Sequence, residues 1–288
     1  MSNYVIHTDS ACDITLDVLA KWGVPCVSLT FRFDGDDRDH SNHDFPTPEF
    51  YDRMRQGGVA KTSAVNVESF KAFFEPTLKE GKDILYLGFS SGLSNTCNAG
   101  QLAANELMEQ YPECKIVVVD TLAASAGFGL LVYLAVQKRD AGESMEEVAK
   151  FVTDNRNHLC HWFTVDDLVY LKRGGRISPA VALVGTVLGI KPVLHVDDEG
   201  HLISMSKARN RKAALKELAN KYDELAIDPK SGPVFISHGD CLDDAQRLGE
   251  MIRARHGVDV ELYTYVGPVI GAHSGPGTLA LFFLGKEK

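Results

Sequence analysis

Three short apolar runs in the N-terminal half, at residues 4–7, 84–87 and 116–119, each end in a small polar turn and pass into a stretch with helical apolar spacing. A chain that alternates strand and helix in this way has few packing options. Strands that are apolar throughout need cover on both faces, which predicts an open parallel sheet with helices on either side. Such sheets bind ligands beyond the carboxyl ends of their strands. Here those ends carry Asp9-Ser10, Ser90-Ser91 and Asp120.

The first run leads through Thr8-Asp9-Ser10-Ala11-Cys12-Asp13 into a helix over residues 14–21, and the second through Gly88-Phe89-Ser90-Ser91-Gly92-Leu93-Ser94 into a helix ending near Tyr111. Residues 24–33 read as one further extended run, with Asp34-Gly35 as a tight-hairpin dipeptide behind it. Helices are expected over residues 48–56 and 67–79, the latter capped by Asn66, and Ser144 with Glu147 forms a capping-box pair. From about His161 the rhythm changes. Helices near residues 165–172 and 179–189, a hairpin around Asp197-Asp198-Glu199-Gly200, and further strands and helices predict a second, α+β domain. With 288 residues the chain exceeds what one core usually serves, so we expect domains at 1–160 and 161–288.

Composition narrows the function classes. A formal net charge of −9 without a basic run argues against nucleic acid and against anionic membrane surfaces. Cys12, Cys26, Cys97, Cys114, Cys160 and Cys241 show no CxxC spacing and read as reduced thiols. The chain enters a strand almost at once, and no apolar run reaches bilayer-spanning length, so a soluble cytoplasmic protein without stable membrane insertion is expected.

Two chemistries compete. Gly88-Phe89-Ser90-Ser91-Gly92 matches the G-x-S-x-G nucleophile elbow, and Asp240 and His273 follow in hydrolase order, so a serine hydrolase built on Ser90 is one reading. The pattern has only three fixed positions, no HGGG-type oxyanion loop precedes it, and Ser94 has no part in it. The other reading treats hydroxyls as hydrogen-bond donors: Thr62, Ser63, Ser90, Ser91 and Ser94 lie near predicted helix starts, where free N–H groups favour a small acid. Simple helix capping would explain each of them singly. The segment Val266-Gly267-Pro268-Val269-Ile270-Gly271-Ala272-His273-Ser274-Gly275-Pro276-Gly277 reads as a rigid turn that aims His273.

Other motifs lead less far. There is no phosphate-binding loop, and Gly127-Phe128-Gly129 lacks the third glycine of a dinucleotide fingerprint. The acidic segment 34–44 lacks the order of an EF-hand, and His158, Cys160 and His161 have no fourth partner, so no metal is expected. Arg173-Gly174-Gly175-Arg176 places two arginines at a helix end, where one of them could neutralise a bound acid or simply complement the dipole. Residues 179–190 are apolar nearly all round, which suits a core or the wall of an apolar tunnel.

In their order along nearly the whole chain, Thr8-Asp9-Ser10-Ala11-Cys12-Asp13, Lys61-Thr62-Ser63, Ser90-Ser91-Gly92-Leu93-Ser94, Arg173-Gly174-Gly175-Arg176 and residues 267–277 resemble the DegV family of bacterial lipid-binding proteins. That resemblance implies an α/β, two-domain fold, an N-terminal parallel α/β sheet domain plus a C-terminal α+β domain, with a ligand tunnel between them. It implies a bound long-chain fatty acid such as palmitate or oleate, its carboxylate held by Thr62 and Ser94 with support from Ser63, Ser91, His273 and Arg176, which we prefer to Arg173. It implies no catalytic residue and no cofactor, and an ATP-dependent kinase subunit as the partner that forms acyl phosphate. The chain departs from the family's usual pattern where Ala64-Val65-Asn66 replaces Gln-Pro-Ser and Asn95-Thr96-Cys97 replaces Gly-Thr-Tyr. The hydroxyls themselves are kept.

Overall fold

The computed structural model describes residues 4–177 and 189–288. The three apolar runs become β1 (Tyr4–Asp9), β6 (Asp83–Gly88) and β7 (Ile116–Asp120), parallel neighbours in a sheet completed by β2 (Cys26–Val27), in the order β2-β1-β6-β7. Register is set by pairs such as Val5 with Ile84 and Ile84 with Ile116. Helices α3 (Val67–Lys79) and α4 (Thr96–Gln110) pack together on this sheet as one layer, and α5 (Ser125–Asp140) with α6 (Met145–Asn155) as another. The expected caps form: Asn66 accepts from the Ser69 N–H, and Ser144 and Glu147 make a reciprocal capping box.

Several local expectations need correction. Residues 14–21 are not helical throughout, because the chain first makes a 3₁₀ turn at Ser10–Cys12 and passes through Asp13 in the left-handed region (φ 53), so α1 is confined to Leu16–Lys21. Residues 24–33 are not one strand. Leu29 N–H donates to the Ser10 hydroxyl at 3.0 Å, which breaks the run into β2 (Cys26–Val27) and β3 (Thr30–Phe33). Only β2 joins the parallel sheet. Strand β3 pairs antiparallel with β4 (His40–Ser41) and β5 (Ala60–Ser63) in a small separate sheet, and the β3–β4 loop is longer than a tight hairpin. Thr62 and Ser63 therefore sit on a strand rather than at a helix start, with Thr62 opposite Phe31.

The second half builds a six-stranded mixed sheet of order β10-β9-β8-β13-β11-β12. Its strands are β8 (Leu159–Thr164), β9 (Lys191–Val196), β10 (Leu202–Ala208), β11 (Phe235–His238), β12 (Leu262–Tyr265) and β13 (Leu279–Leu284). The expected hairpin at 197–200 joins β9 to β10. A division after residue 160 passes inside β8. The short helix α7 spans Val169–Arg173, and the helix expected over residues 179–189 lies almost wholly outside the described residues.

Side-chain alternation splits this sheet between two cores. Trp162, Ile236, Leu281 and Phe283 face α8 (Arg211–Leu225) and α9 (Leu242–His256), whereas Phe163, Phe235, Ala280 and Phe282 join the core shared with the N-terminal layers. Helix α5 is what they meet there. It touches β1 on one side and β8, β11 and β13 on the other, and most of its first twelve residues are buried regardless of helical face. Two glycines permit this approach: a Cβ on Gly129 would lie 2.7 Å from the Cys12 carbonyl oxygen, and one on Gly127 2.5 Å from Phe282 Cδ1 and 2.6 Å from His161 Nε2. Gly127→Ala should therefore cost about 1–3 kcal/mol by overpacking, despite alanine's better helix propensity. A lowered urea midpoint with an unchanged slope is the expected result, and an unchanged midpoint would show that the contact is slack.

Candidate functional site

Where α5 begins, the layers leave a cavity of about 290 Å³, at the small end of the roughly 300–1,000 Å³ typical of small-molecule sites. Its floor is the inner sheet face, with Ser237, Ala280 and Phe163 in one cross-strand row and His161 paired with Phe282 in the next. Phe89, Leu93, Leu171, Val196 and Val269 add to an apolar interior. The other end is polar. Thr62, Ser63, Ser94, Asn95, Arg176 and His273 line it, and Ser63, Ala64 and Asn95 are exposed, so this end is the mouth.

His273 does not ride on a turn. It occupies the last turn of a short helix, α10 (Pro268–Ser274), started by Gly267-Pro268 and stopped by Gly275 at φ 82. The imidazole packs so closely on Gly174 that a Cβ there would collide with Nδ1. Nε2 lies 2.8 Å from the Thr62 hydroxyl, while Nδ1 is buried without a partner among the described residues. Burial, and after it the positive charge of Arg176, lower the His273 pKa to about 4, so the ring is neutral at neutral pH. A neutral ring carries one proton, and leaving a lone pair unmet is easier than leaving an N–H unmet. We therefore assign the proton to Nε2, donating to Thr62 Oγ1, which leaves the Thr62 proton free to donate into the cavity.

Arg176 is half-buried, and its Nε and Nη1 donate to the carbonyls of Leu93 (3.1 Å) and Gly174 (2.6 Å). No carboxylate lies within ion-pair distance of it among the described residues. Burial accordingly lowers its pKa from the usual guanidinium value. Arg173 instead lies over the Tyr170 ring and does not line the cavity. Ser94 Oγ accepts from the Thr96 N–H at 3.3 Å and shares a proton with Thr96 Oγ1 at 2.9 Å. Ser91 stands apart from the cavity: it is exposed, and its N–H donates to Asp120 Oδ1.

The hydrolase constellation does not assemble. Ser90 is fully buried, its hydroxyl donating to Gly200 O at 3.0 Å and accepting from Gly92 N–H at 3.2 Å, while Asp240 pairs with Arg55 at 2.5 Å and His273 with Thr62. Strand-end Asp9 is also absorbed by structure, accepting from Ala11 N–H, Tyr86 O–H and Phe89 N–H. Among the described residues no group of three or more His, Cys, Asp or Glu could hold a metal, and no helix is long and apolar enough to cross a membrane.

One polar group escaped sequence reasoning. Ser125 Oγ donates to Asp13 Oδ2 at 2.6 Å and lies 2.9 Å from Ser237 Oγ. Asp13 is fully buried, and desolvation raises its carboxyl to about 7 against the opposing hydrogen bonds, Ser125 first among them. Asp13 and Ser125 both hold left-handed backbone (φ 53 and 54), a state imposed by tertiary contacts that the sequence does not mark.

The chain is similar to known proteins over nearly its whole length. The profile of the family described as "Uncharacterised protein, DegV family" matches residues 3–286. A DegV domain-containing protein of Clostridium perfringens is 44% identical, over 100% of this chain and 99% of its own length. A fatty-acid-binding DegV family protein from Thermus thermophilus has 31% identity and a TM-score of 0.88, covering 98% of this chain and 99% of that one. A stearic-acid-binding protein from Eubacterium ventriosum has 26% identity and a TM-score of 0.88, with 98% of each chain covered.

The Gly174 contact yields a direct test. Gly174→Ala should push the imidazole off Thr62 toward solvent, so that His273, followed by NMR, titrates closer to the ordinary 6.5 than to about 4. An unmoved titration would refute the steric account. In the unaltered protein the unfolded chain takes up this proton first as pH falls, so burial of His273 becomes destabilising through pH 6.5 and its effect levels off below about pH 4.

Proposed function

The chain belongs to the DegV family, and from that premise we propose that it carries a long-chain fatty acid such as palmitate or oleate in this cavity. The carboxylate sits at the polar mouth, held by Thr62 and Ser94, with Arg176, His273 and Ser63 in support. Ser91, outside the cavity wall, is left out of this clamp. The observation that carries the reading is Arg176, a half-buried cation without a carboxylate partner among the described residues, at the polar end of a cavity whose interior is mainly apolar. One carboxylate on a long hydrocarbon chain meets both requirements. The fatty-acid binding of the Thermus and Eubacterium relatives supports the same class of ligand.

The two ends divide the work. An acyl chain of about fourteen methylenes, at about 0.8 kcal/mol each, gives roughly 11 kcal/mol of gross transfer energy before ordering costs. A hydrogen bond to the charged head adds about 1.5–3 kcal/mol. Affinity then comes from the chain, and orientation from the hydroxyls. Neutral His273 donates to Thr62, Thr62 donates to the carboxylate, and Arg176 supplies the counter-charge.

With the head group at an exposed mouth, the bound acid is presented to a second protein. On this reading the chain is a non-catalytic subunit, and an ATP-dependent kinase partner phosphorylates the acid to acyl phosphate.

Organic extraction and mass spectrometry of the purified protein should recover fatty acid in near-stoichiometric amount. Recovery of none from a well-folded preparation would count against the carrier. Thr62→Val and Ser94→Ala should each weaken binding of added oleate by roughly tenfold to a hundredfold, as loss of one charged hydrogen bond implies. Binding should also raise the His273 pKa above about 4, because the carboxylate offsets Arg176, and an unchanged value on loading would remove the head group from this end. Ser90 should resist fluorophosphonate labelling, since its buried hydroxyl already has two partners.

A further inference from the structure

The floor of the cavity holds a polar group that the head-group clamp does not use. Asp13, Ser125 and Ser237 form a hydrogen-bonded line of 2.6 and 2.9 Å steps, and both serines line the cavity. Ser237 shares its cross-strand row with Ala280 and Phe163, so it is the polar member of an apolar strip. Ser125 is the first residue of α5, whose N-terminus carries no side-chain cap.

Counting protons shows what this line leaves unmet. Each hydroxyl has one proton to give and two lone pairs to receive. If Ser125 donates to an ionised Asp13 and Ser237 donates to Ser125, Ser237 Oγ keeps lone pairs with no donor among the described residues. If Asp13 is protonated and the line runs the other way, Ser237 holds a proton with no acceptor among the described residues. In both states the terminal member has an unused hydrogen-bonding valence at the cavity wall. A plain hydrocarbon satisfies neither state, whereas a hydroxyl, being donor and acceptor, satisfies both. A keto oxygen satisfies only the second.

We propose that the Ser125–Ser237 pair is a second polar contact of the cavity, and that it takes a hydroxyl borne partway along the ligand's chain. The protein thereby favours a hydroxylated long-chain fatty acid over the unsubstituted acid. The proposal rests on the carrier reading above, and its test separates the two.

The full chain, stripped of lipid, is titrated with stearate and with monohydroxystearates whose hydroxyl moves stepwise along the chain, each in competition with a fluorescent acyl probe. One interior hydroxyl position should bind about tenfold more tightly than stearate, the worth of one net hydrogen bond in a buried site. In Ser237→Ala the ratio of the two dissociation constants should fall toward parity. Stearate binding as well as or better than every interior isomer overturns the proposal and leaves the carrier intact. So does a preference confined to the carbon next to the carboxylate, which the head-group clamp would explain, or a preference that survives in folded Ser237→Ala. If that variant does not fold, the positional series on the unaltered protein decides. Failure of stearate and all its hydroxy derivatives to bind overturns the carrier reading itself.

Discussion

Everything in this molecule depends on one helix being buried on all sides. Helix α5 closes the β-α succession of the N-terminal sheet and at the same time covers the inner face of the C-terminal sheet. Ordinary side chains on both flanks would hold the two halves too far apart. Gly127 and Gly129, spaced so that they face nearly opposite ways, remove the obstacle on each side. The cavity lies where this close packing ends, at the first turn of α5, because Ala124 and Ser125 no longer fill the space between the sheets.

The electrostatics of the cavity follow from that burial. Desolvation acts on every ionisable group near it and always toward neutrality: it lowers His273 and His161 and raises Asp13. Arg176 cannot respond in the same way, because a guanidinium stays charged in proteins, and two backbone carbonyls offer it partial charge only. Among the described residues that line the cavity, Arg176 is thus the one obligate cation. On the carrier reading, an anion entering at the mouth meets a charge that no carboxylate among the described residues has already paired, and the mainly apolar depth behind it disfavours a second charge on the ligand.

Much of this was legible in the sequence, and the failures have common physical causes. The apolar runs of β1, β6 and β7 and the caps at Asn66 and Ser144 are local signals, and the structure keeps them. What the sequence misled on was set by distant contacts. The extended run 24–33 splits because Ser10 takes the Leu29 N–H, and Thr62 lies on a strand because β3 recruits it. The G-x-S-x-G pattern carried the right strand and turn, but Gly200, 110 residues away, occupies the Ser90 hydroxyl. Gly127-Phe128-Gly129 looked like a fragment of a nucleotide fingerprint, whereas its glycines serve helix–sheet contact. Ser125 and Ser237 gave no signal at all, since neither the left-handed backbone at Ser125 nor the pairing of the two serines has a local sequence cause.

The two segments read from the sequence as departures from the family's usual pattern gain a sharper meaning from this geometry. Of the replaced residues, Ala64 and Asn95 line the exposed mouth, Val65 is buried beneath it, and Asn66 caps α3. Thr96 and Cys97 are buried in the first turn of α4, and Cys97 Sγ lies where a Cβ on Gly88 would meet it. None of them belongs to the sheet face formed by Phe163, Ala280 and Phe282. The departures therefore act on the rim and on the support of Ser94, not on the surface a hydrocarbon tail would touch. On the carrier reading, selection of tail length and unsaturation has to be sought at the inner wall, and the altered rim bears on how the head group is offered to whatever docks there.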